Sequence, residues 1–310
     1  MADLAGLGRE MLEAARRGDA VRLGALIAEG RGLEDVCDEL GRTPLLIACE
    51  NGHDAVVRLL VEAGADVNTA TTDDGATPLF MACQNGHGAV VRLLVEAGAD
   101  VNKATTDDGT TPLYVACTNG HDAAARLLVE AGADVNKALT STGATPLYVA
   151  CQNGHDAVVR LILEAGADVN KATTNDGSTP LVAACRRPGT RLVRHLLAAG
   201  ADPCISDRQG KSPLEVAAFQ CRSAAAVRLL REAGAPAPSS GASASAGLAT
   251  LQRSGHTDVI EALISHTLWV TRRCRLLPGR TSVQSRMRDR ASAACVATHE
   301  RVSSSESAVV

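Results

Sequence analysis

The chain has 310 residues, of which 45% are hydrophobic but only 2% aromatic, and its formal net charge at pH 7 is −4. Its N-terminal sequence, MADLAGLGREMLEAARRGD, lacks the basic segment and apolar run of a secretory signal. No stretch approaches the roughly 18 apolar residues of a membrane helix, so we expect no membrane span. With so few aromatic rings, the core must be built from leucine, valine, alanine and cysteine.

A 34-residue period begins close to the N-terminus. Residues 1–8 are predicted to be a short extension, and residues 9–42 form an atypical first repeat in which Gly18 lies 34 positions before Gly52. The charged residues of this repeat suit a terminal cap that faces water.

The regular part of the chain follows. Near-copies of the segment TPLYVACTNGHDAAARLLVEAGADVN start 34 residues apart, at Thr43, Thr77, Thr111, Thr145 and Thr179. A period this regular predicts stacked repeats, because one short unit cannot bury its apolar face alone.

Each copy predicts a helix-turn-helix unit. In the third copy, Thr111 can cap a first helix that starts at Pro112 and ends at Gly120. Asp122 is predicted to cap a second helix that stops at Gly132, followed by a polar, glycine-ended loop. The apolar face of the second helix is expected to hold Ala124, Leu127 and Leu128.

The unit resembles the ankyrin repeat, on the Thr-Pro-Leu opening, the Gly-His at the turn and the Gly-Ala-Asp-Val-Asn after the second helix. The resemblance implies an all-α ankyrin-repeat solenoid of stacked helix-turn-helix units with hairpin-like loops. The family's usual repeat has 33 residues, so we expect the extra residue in the loop. The family's usual His after Thr-Pro-Leu is replaced here, so its loop-bracing hydrogen bond is not expected; the replacing residues are Leu46, Phe80, Tyr114, Tyr148 and Val182.

The later repeats are less regular. Pro188 is expected to shorten the first helix of the sixth, the seventh has one residue too many before Val227, and an eighth is eroded. The array is therefore predicted to span 9–266, with repeats near 9–42, 43–76, 77–110, 111–144, 145–178, 179–211, 212–245 and 246–266. Residues 267–310 form a basic, serine-rich tail that is predicted to be disordered.

Residues that recur with the period are explained by the scaffold. Cys49, Cys83, Cys117, Cys151 and Cys185 share one repeat position, and helices about 8–10 Å apart hold such neighbours too far apart for disulfides. We expect small buried thiols and a reducing compartment, the cytoplasm or alternatively the nucleus.

The histidines of the Gly-His turn lie one repeat apart and cannot converge on one metal ion. Arg–Glu pairs at i, i+4 on the second helices are interpreted as solvated pairs.

Nothing in the sequence predicts catalysis. The phosphate-binding glycine loop, the nucleophile elbow and the His-Glu-x-x-His zinc motif are all absent. We therefore expect neither an enzyme nor a bound metal or cofactor, and no small-molecule substrate.

Partner recognition is the remaining function, and the resemblance implies which positions carry it. On the first helices these are Glu50, Gln84, Thr118, Gln152 and Arg186. At the loop tips they are Asp73, Asp74, Ala76, Asp107, Asp108, Thr110, Ser141, Thr142, Ala144, Asn175, Asp176 and Ser178.

Three aromatic residues, Phe80, Tyr114 and Tyr148, occupy one position in successive repeats. They form either a ladder of anchors for a partner protein or a set of rings that pack within their own repeats and brace the loops. Comparing the binding and melting of alanine variants would separate the two interpretations.

Charge suggests the kind of partner. Residues 43–178 hold seven Lys or Arg against seventeen Asp or Glu, a balance of −10, whereas 179–310 hold eighteen against nine, a balance of +9. The sequence therefore predicts a monomeric protein-binding scaffold whose concave face takes a protein with a basic patch. One alternative is a ubiquitin-ligase adaptor, from a faint likeness of 271–278 to a C-terminal box. Another is nucleic-acid contact through the Arg-rich tail, although a nucleic-acid partner is not the favoured reading.

Overall fold

The computed structural model describes residues 2–29, 36–238 and 242–263. Every regular element within these ranges is a helix. The predicted tail, 267–310, and with it the segment on which the ligase-adaptor and nucleic-acid alternatives depend, lies outside the described residues.

The helices alternate along the chain as the period predicts. Their bounds are α1 Ala2–Arg17, α2 Ala20–Ala28, α3 Pro44–Asn51, α4 Asp54–Glu62, α5 Pro78–Asn85, α6 Gly88–Glu96, α7 Pro112–Asn119, α8 Asp122–Glu130, α9 Pro146–Asn153, α10 Asp156–Glu164, α11 Pro180–Cys185, α12 Arg191–Ala198, α13 Pro213–Glu215, α14 Ala224–Glu232 and α15 Ala242–Arg253. Residues 257–263 are helical as well. Helix α1 begins at Ala2, so residues 2–8 are helical, and the repeat boundaries stay predictions.

The chain divides into two compact units. Of the described residues, those within Met1–Asp202 and Ser206–Gly210 form the first unit, and those within Pro203–Ile205 and Lys211–Val310 form the second. In the first unit, each first helix packs on the first helix of the next repeat, from α1 through α3, α5, α7 and α9 to α11. The second helices, α2 to α12, stack in a parallel row.

Local chemistry explains where the first helices begin and end. The Thr111 hydroxyl accepts a hydrogen bond from the backbone N–H of Tyr114, and Pro112 takes the first helical position. Gly120 ends the helix in the left-handed conformation, with φ of 75°. The prediction was wrong for the second helix: Asp122 is its first helical residue, and His121 stands at the cap without a side-chain hydrogen bond.

The core is aliphatic and thiol-rich. The five cysteines of the repeating position are at most 1% exposed, which confirms that these thiols are buried. On α8 the buried residues are Ala124, Ala125 and Leu128, whereas Leu127, predicted to lie in the core, is only half-buried. Leu128, rather than Leu127, therefore belongs to the core.

The sixth repeat has a shortened first helix. Pro188 follows a first helix, α11, that is two residues shorter than its eight-residue counterparts, as predicted.

The four predicted Arg–Glu pairs, such as Arg58 with Glu62, do not come within ion-pair distance in the described part of the chain. All eight side chains are exposed, as expected of solvated helix faces, and long solvated side chains gain little from pairing.

The second unit accommodates the extra residue of the seventh repeat in a π-helical turn, Val216–Gln220. Arg222, directly after it, has φ of 52°, an uncommon conformation for a residue with a side chain. The turn places the Phe219 ring against Gly247 on α15, where an added Cβ would lie 2.7 Å from the ring. A one-residue insertion has thus become a bulge rather than a shift of the whole repeat.

Candidate interaction surface

The histidines of the Gly-His turns hold one repeat to the next. His87 Nε2 lies 3.1 Å from the Glu50 carbonyl oxygen of the preceding repeat, and His121 Nε2 lies 3.1 Å from that of Gln84. Since a carbonyl can only accept, each ring donates from Nε2. The same carbonyls accept from the side-chain amides of Asn85 and Asn119. These histidines are therefore structural.

In addition to the histidine hydrogen bonds, the loops form two sets of hydrogen bonds between neighbouring repeats. The Asn102 side-chain oxygen accepts from the Asp134 N–H at 2.8 Å, and equivalent bonds recur at Asn68, Asn136 and Asn170. At the loop tips, the Thr106 N–H donates to the Asp74 carbonyl at 2.8 Å. The repeats are thus fixed to each other at both ends of each helix pair.

Each loop is also closed on itself like a hairpin. The Thr105 N–H donates to the Thr110 carbonyl, and the Thr110 N–H donates to the Thr105 hydroxyl, both at 3.0 Å. Thr71 and Thr173 make the same pair of bonds with Ala76 and Ser178. These buried threonines brace loops from which the family's usual histidine is missing, a role that the sequence pattern does not reveal.

The predicted first-helix and loop-tip positions in the first unit form a surface that we call the loop–helix surface. Its exposed members are Gln84, Gln152, Arg186, Asp73, Asp107, Ser141 and Asn175. Its half-buried members are Glu50, Thr118, Asp74, Asp108, Thr110, Thr142 and Asp176. Ala76, Ala144 and Ser178 are buried.

The three aromatic residues are not equivalent. Phe80 and Tyr148 are only 8% and 6% exposed, whereas Tyr114 is half-buried. Burial, together with the charge of Asp108, raises the pKa of Tyr114 to about 12. Of the three rings, only Tyr114 therefore offers substantial surface to a partner.

A polar cluster lies at one end of the loop–helix surface. Arg186 donates to the Ser178 hydroxyl at 3.1 Å and lies 3.7 Å from an Asp176 carboxylate oxygen and 3.8 Å from one of Asp207. Burial raises the pKa of Tyr148, an effect reinforced by Asp176 and partly offset by Arg186 and Ser178. Tyr148 thus belongs to the same cluster.

Asp176 is held as a carboxylate within this cluster. Its partial burial opposes ionisation, but hydrogen bonds from Thr173 and Ser178 and the charge of Arg186 outweigh that cost. The pKa of its carboxyl is consequently held below its usual range.

The opposite end of the surface carries a second arginine that the sequence analysis did not single out. Arg42 lies 2.8 Å from an Asp38 carboxylate oxygen and 3.5 Å from one of Glu50. The only sequence signal was that Arg42 occupies the loop position equivalent to Ser178. Between these ends, no cation comes within 4.0 Å of Asp73, Asp74, Asp107 or Asp108 among the described residues.

The described residues contain no group of three or more His, Cys, Asp or Glu side chains that could hold a metal ion. Among the described helices, none combines the length and apolarity that crossing a bilayer requires.

Paired helices, hairpin-like loops and hydrogen bonds that repeat from one unit to the next define an all-α helical-repeat protein. A family model for ankyrin repeats matches residues 11–105 and 102–173, and a single ankyrin repeat matches 176–208. The chain belongs to the ankyrin-repeat family, and the predicted solenoid is confirmed. Repeats of this family generally serve as protein–protein interaction modules and are typically non-catalytic.

Solved structures support the same assignment. The human ASB11 ankyrin repeat domain is 32% identical with a TM-score of 0.64, over 74% of this chain and 99% of that one. The ankyrin repeat domain of Bcl-3, described as a unique member of the IκB protein family, is 31% identical with a TM-score of 0.62, over 71% and 97%. The search of curated protein sequences returned no match.

Proposed function

We propose that this chain is a non-catalytic scaffold that binds a partner protein on its loop–helix surface, the concave face of the predicted solenoid. One observation carries the proposal: the recurring His, Asn, Thr and Cys side chains are engaged in the scaffold, whereas the first-helix positions vary and are exposed or half-buried. Gln84 and Gln152 are exposed at one such position, and Thr118 is half-buried. A rigid row of differing side chains is what such arrays use to select partners.

The partner that suits this surface is a protein with a basic patch. Asp73 and Asp107 are exposed, and hydrogen bonds from neighbouring backbone and threonine groups lower the pKa of each carboxyl. These carboxylates stay ionised at neutral pH and attract a cationic surface. We further propose that the chain acts as a monomer in a reducing compartment, the cytoplasm or the nucleus.

Affinity capture with the full chain tests this proposal. The surface variant combines Gln84→Ala, Thr118→Ala and Gln152→Ala, and the control combines Arg92→Ala, Arg126→Ala and Arg160→Ala on the exposed positions of the second helices. We expect a partner retained by the wild type and the control to be lost from the surface variant, with all three melting alike. Equal capture by the surface variant would place the binding site elsewhere.

A further inference from the structure

We propose that Asp74, together with the position of Gln84, is a docking point for an arginine side chain of the partner. The inference rests on the proposed function, because it names the chemistry recognised at the loop–helix surface. In each of four repeats, a loop residue precedes a first-helix residue by ten positions, and these four pairs are equivalent along the array. These pairs are Asp74 with Gln84, Asp108 with Thr118, Thr142 with Gln152, and Asp176 with Arg186.

The last pair shows how the array holds a guanidinium. One Asp176 carboxylate oxygen, Oδ1, accepts from the Thr173 hydroxyl at 2.5 Å and from the Ser178 N–H at 3.1 Å. These bonds fix the plane of the carboxylate. The other oxygen, Oδ2, accepts from the Ser178 hydroxyl at 2.9 Å and lies 3.7 Å from Arg186 Nη2. Arg186 Nη2 also lies 3.8 Å from a carboxylate oxygen of Asp207.

Asp74 is held in the same way. Its Oδ1 accepts from the Thr71 hydroxyl at 2.6 Å and from the Ala76 N–H at 3.0 Å. Thr71 and Ala76 are the counterparts of Thr173 and Ser178, so Oδ1 is held by the same two groups in both carboxylates. Ala76 lacks the hydroxyl that Ser178 donates to Oδ2 of Asp176, which leaves Oδ2 of Asp74 open to a partner. At the position of Arg186, however, this repeat has the uncharged, exposed Gln84.

The other two pairs do not share this geometry. The Asp108 Oδ1 accepts from the Ser141 N–H at 3.0 Å and lies 3.3 Å from the Thr140 hydroxyl, so this carboxylate is turned toward the next loop. Opposite Gln152 the loop residue is Thr142, which carries no charge. Asp74 is therefore the copy in which an oriented carboxylate matches the Asp176 site while the chain supplies no arginine.

An arginine suits this position better than a lysine. The guanidinium is planar and presents several N–H groups in a fixed arrangement, so it can bond to a carboxylate and a neighbouring acceptor together. Arg186 donates a hydrogen bond to the Ser178 hydroxyl and forms an ion pair with Asp176 at 3.7 Å. At Asp74 the amide oxygen of Gln84 can serve as the neighbouring acceptor.

Fluorescence anisotropy with the full-length chain tests the inference. The probe is a fluorescein-labelled peptide of four Arg-Gly-Ser units, and its control has each arginine replaced by citrulline, a neutral group of nearly the same shape. Titrations at low ionic strength keep exposed charges unscreened. We expect saturable binding of the arginine peptide and none of the citrulline peptide.

Two variants locate the binding. Asp74→Asn removes the carboxylate, and Gln84→Arg supplies a guanidinium from the chain itself, as Arg186 does in the sixth repeat. We expect each to weaken binding of the arginine peptide about two- to fivefold, the range for an exposed ion pair. Gln152→Arg adds the same charge opposite Thr142, so its effect should be smaller.

Equal weakening by Gln84→Arg and Gln152→Arg would overturn the inference, because net charge would then explain both. Equal binding of the two peptides, or no binding of the arginine peptide, would overturn it as well. If one of these three outcomes is observed while partner capture still depends on the loop–helix surface, the proposal of an arginine-docking point at Asp74 is wrong and the proposed function stands. Loss of that dependence in the capture experiment would remove the proposed function.

Discussion

Gly86 lies directly beneath the imidazole ring of His121, which belongs to the next repeat. A Cβ added to Gly86 would lie 2.5 Å from His121 Nδ1. The ring cannot move away freely, because its Nε2 donates to the Gln84 carbonyl at 3.1 Å. Glycine is needed at this position both for its backbone conformation, with φ of 76°, and for the close approach of the ring.

Gly86→Ala should therefore destabilise the protein more than Gly98→Ala. Gly98 also has positive φ, 85°, but nothing lies within 4 Å of its added Cβ. We expect about 1–2 kcal/mol for Gly98→Ala, from backbone strain alone. Gly86→Ala should cost about 1 kcal/mol more, because it also disturbs a hydrogen bond between repeats. Urea denaturation of the two variants measures the difference, and equal costs would contradict the role given to the histidine.

Leu128→Ala should destabilise the array more than Leu127→Ala. Leu128 is fully buried, at 0% exposed, whereas Leu127 is half-buried. We expect about 2–5 kcal/mol for Leu128→Ala and less than half of that for Leu127→Ala. Hydrogen exchange should also show weaker protection in the repeats on either side of Leu128, because each repeat is stabilised by its neighbours. Loosening confined to one repeat would contradict this account.

Stability should fall in alkaline solution, partly because of the buried thiols. Burial raises the pKa of the Cys83 thiol far above its usual value. The contribution of this thiol is fully present below the unfolded-state pKa of about 8.5 and is lost as pH rises toward the folded-state pKa.

The Cys83→Ala variant tests this linkage. Between pH 9 and 10, its free energy of unfolding should fall less steeply than that of the wild type, by about 1.4 kcal/mol per pH unit. Cys37→Ala is the control, since Cys37 is exposed. Denaturation at pH 7.5, 9 and 10 gives the slopes, and parallel slopes for wild type and Cys83→Ala would disprove the linkage.

Tyr114 and Tyr148 should respond differently to truncation. Tyr148 is 6% exposed, so Tyr148→Ala should cost about 3–5 kcal/mol of stability, as for other buried aromatic rings. Tyr114 is half-buried, so Tyr114→Ala should cost less and should weaken partner binding instead. Thermal melting and partner capture, measured on the same two proteins, separate these effects. Unchanged binding by Tyr114→Ala would leave the ring with a packing role only.

The limits of the first helices could be predicted from sequence because their causes are local. Thr111, Pro112 and Gly120 act through bonds and torsions within a few residues of themselves. Asp122 was misplaced by one position, since aspartate suits both the cap and the first turn of a helix. Propensity alone does not decide between the two.

The remaining features depend on stacking. The run from Ala123 to Val129 is apolar except for Arg126, so its pattern does not reveal that Leu128, rather than Leu127, turns inward. Arg186 and Asp176 were both predicted at the surface, but the ion pairs of Arg186 with Asp176 and Asp207 bring together residues from two loops. The extra residue of the seventh repeat was evident, whereas its π-turn depends on the packing of Phe219 against Gly247.

The hydrogen bonds that join one repeat to the next have the same donors and acceptors at successive junctions, from His87 with Glu50 to His155 with Thr118. Removing or duplicating a whole 34-residue unit among the regular repeats would therefore recreate a junction that already exists in the protein. The hydrogen bonds between regular repeats therefore do not depend on how many such repeats the array contains. Array length and the choice of surface side chains are, for this protein, separable properties.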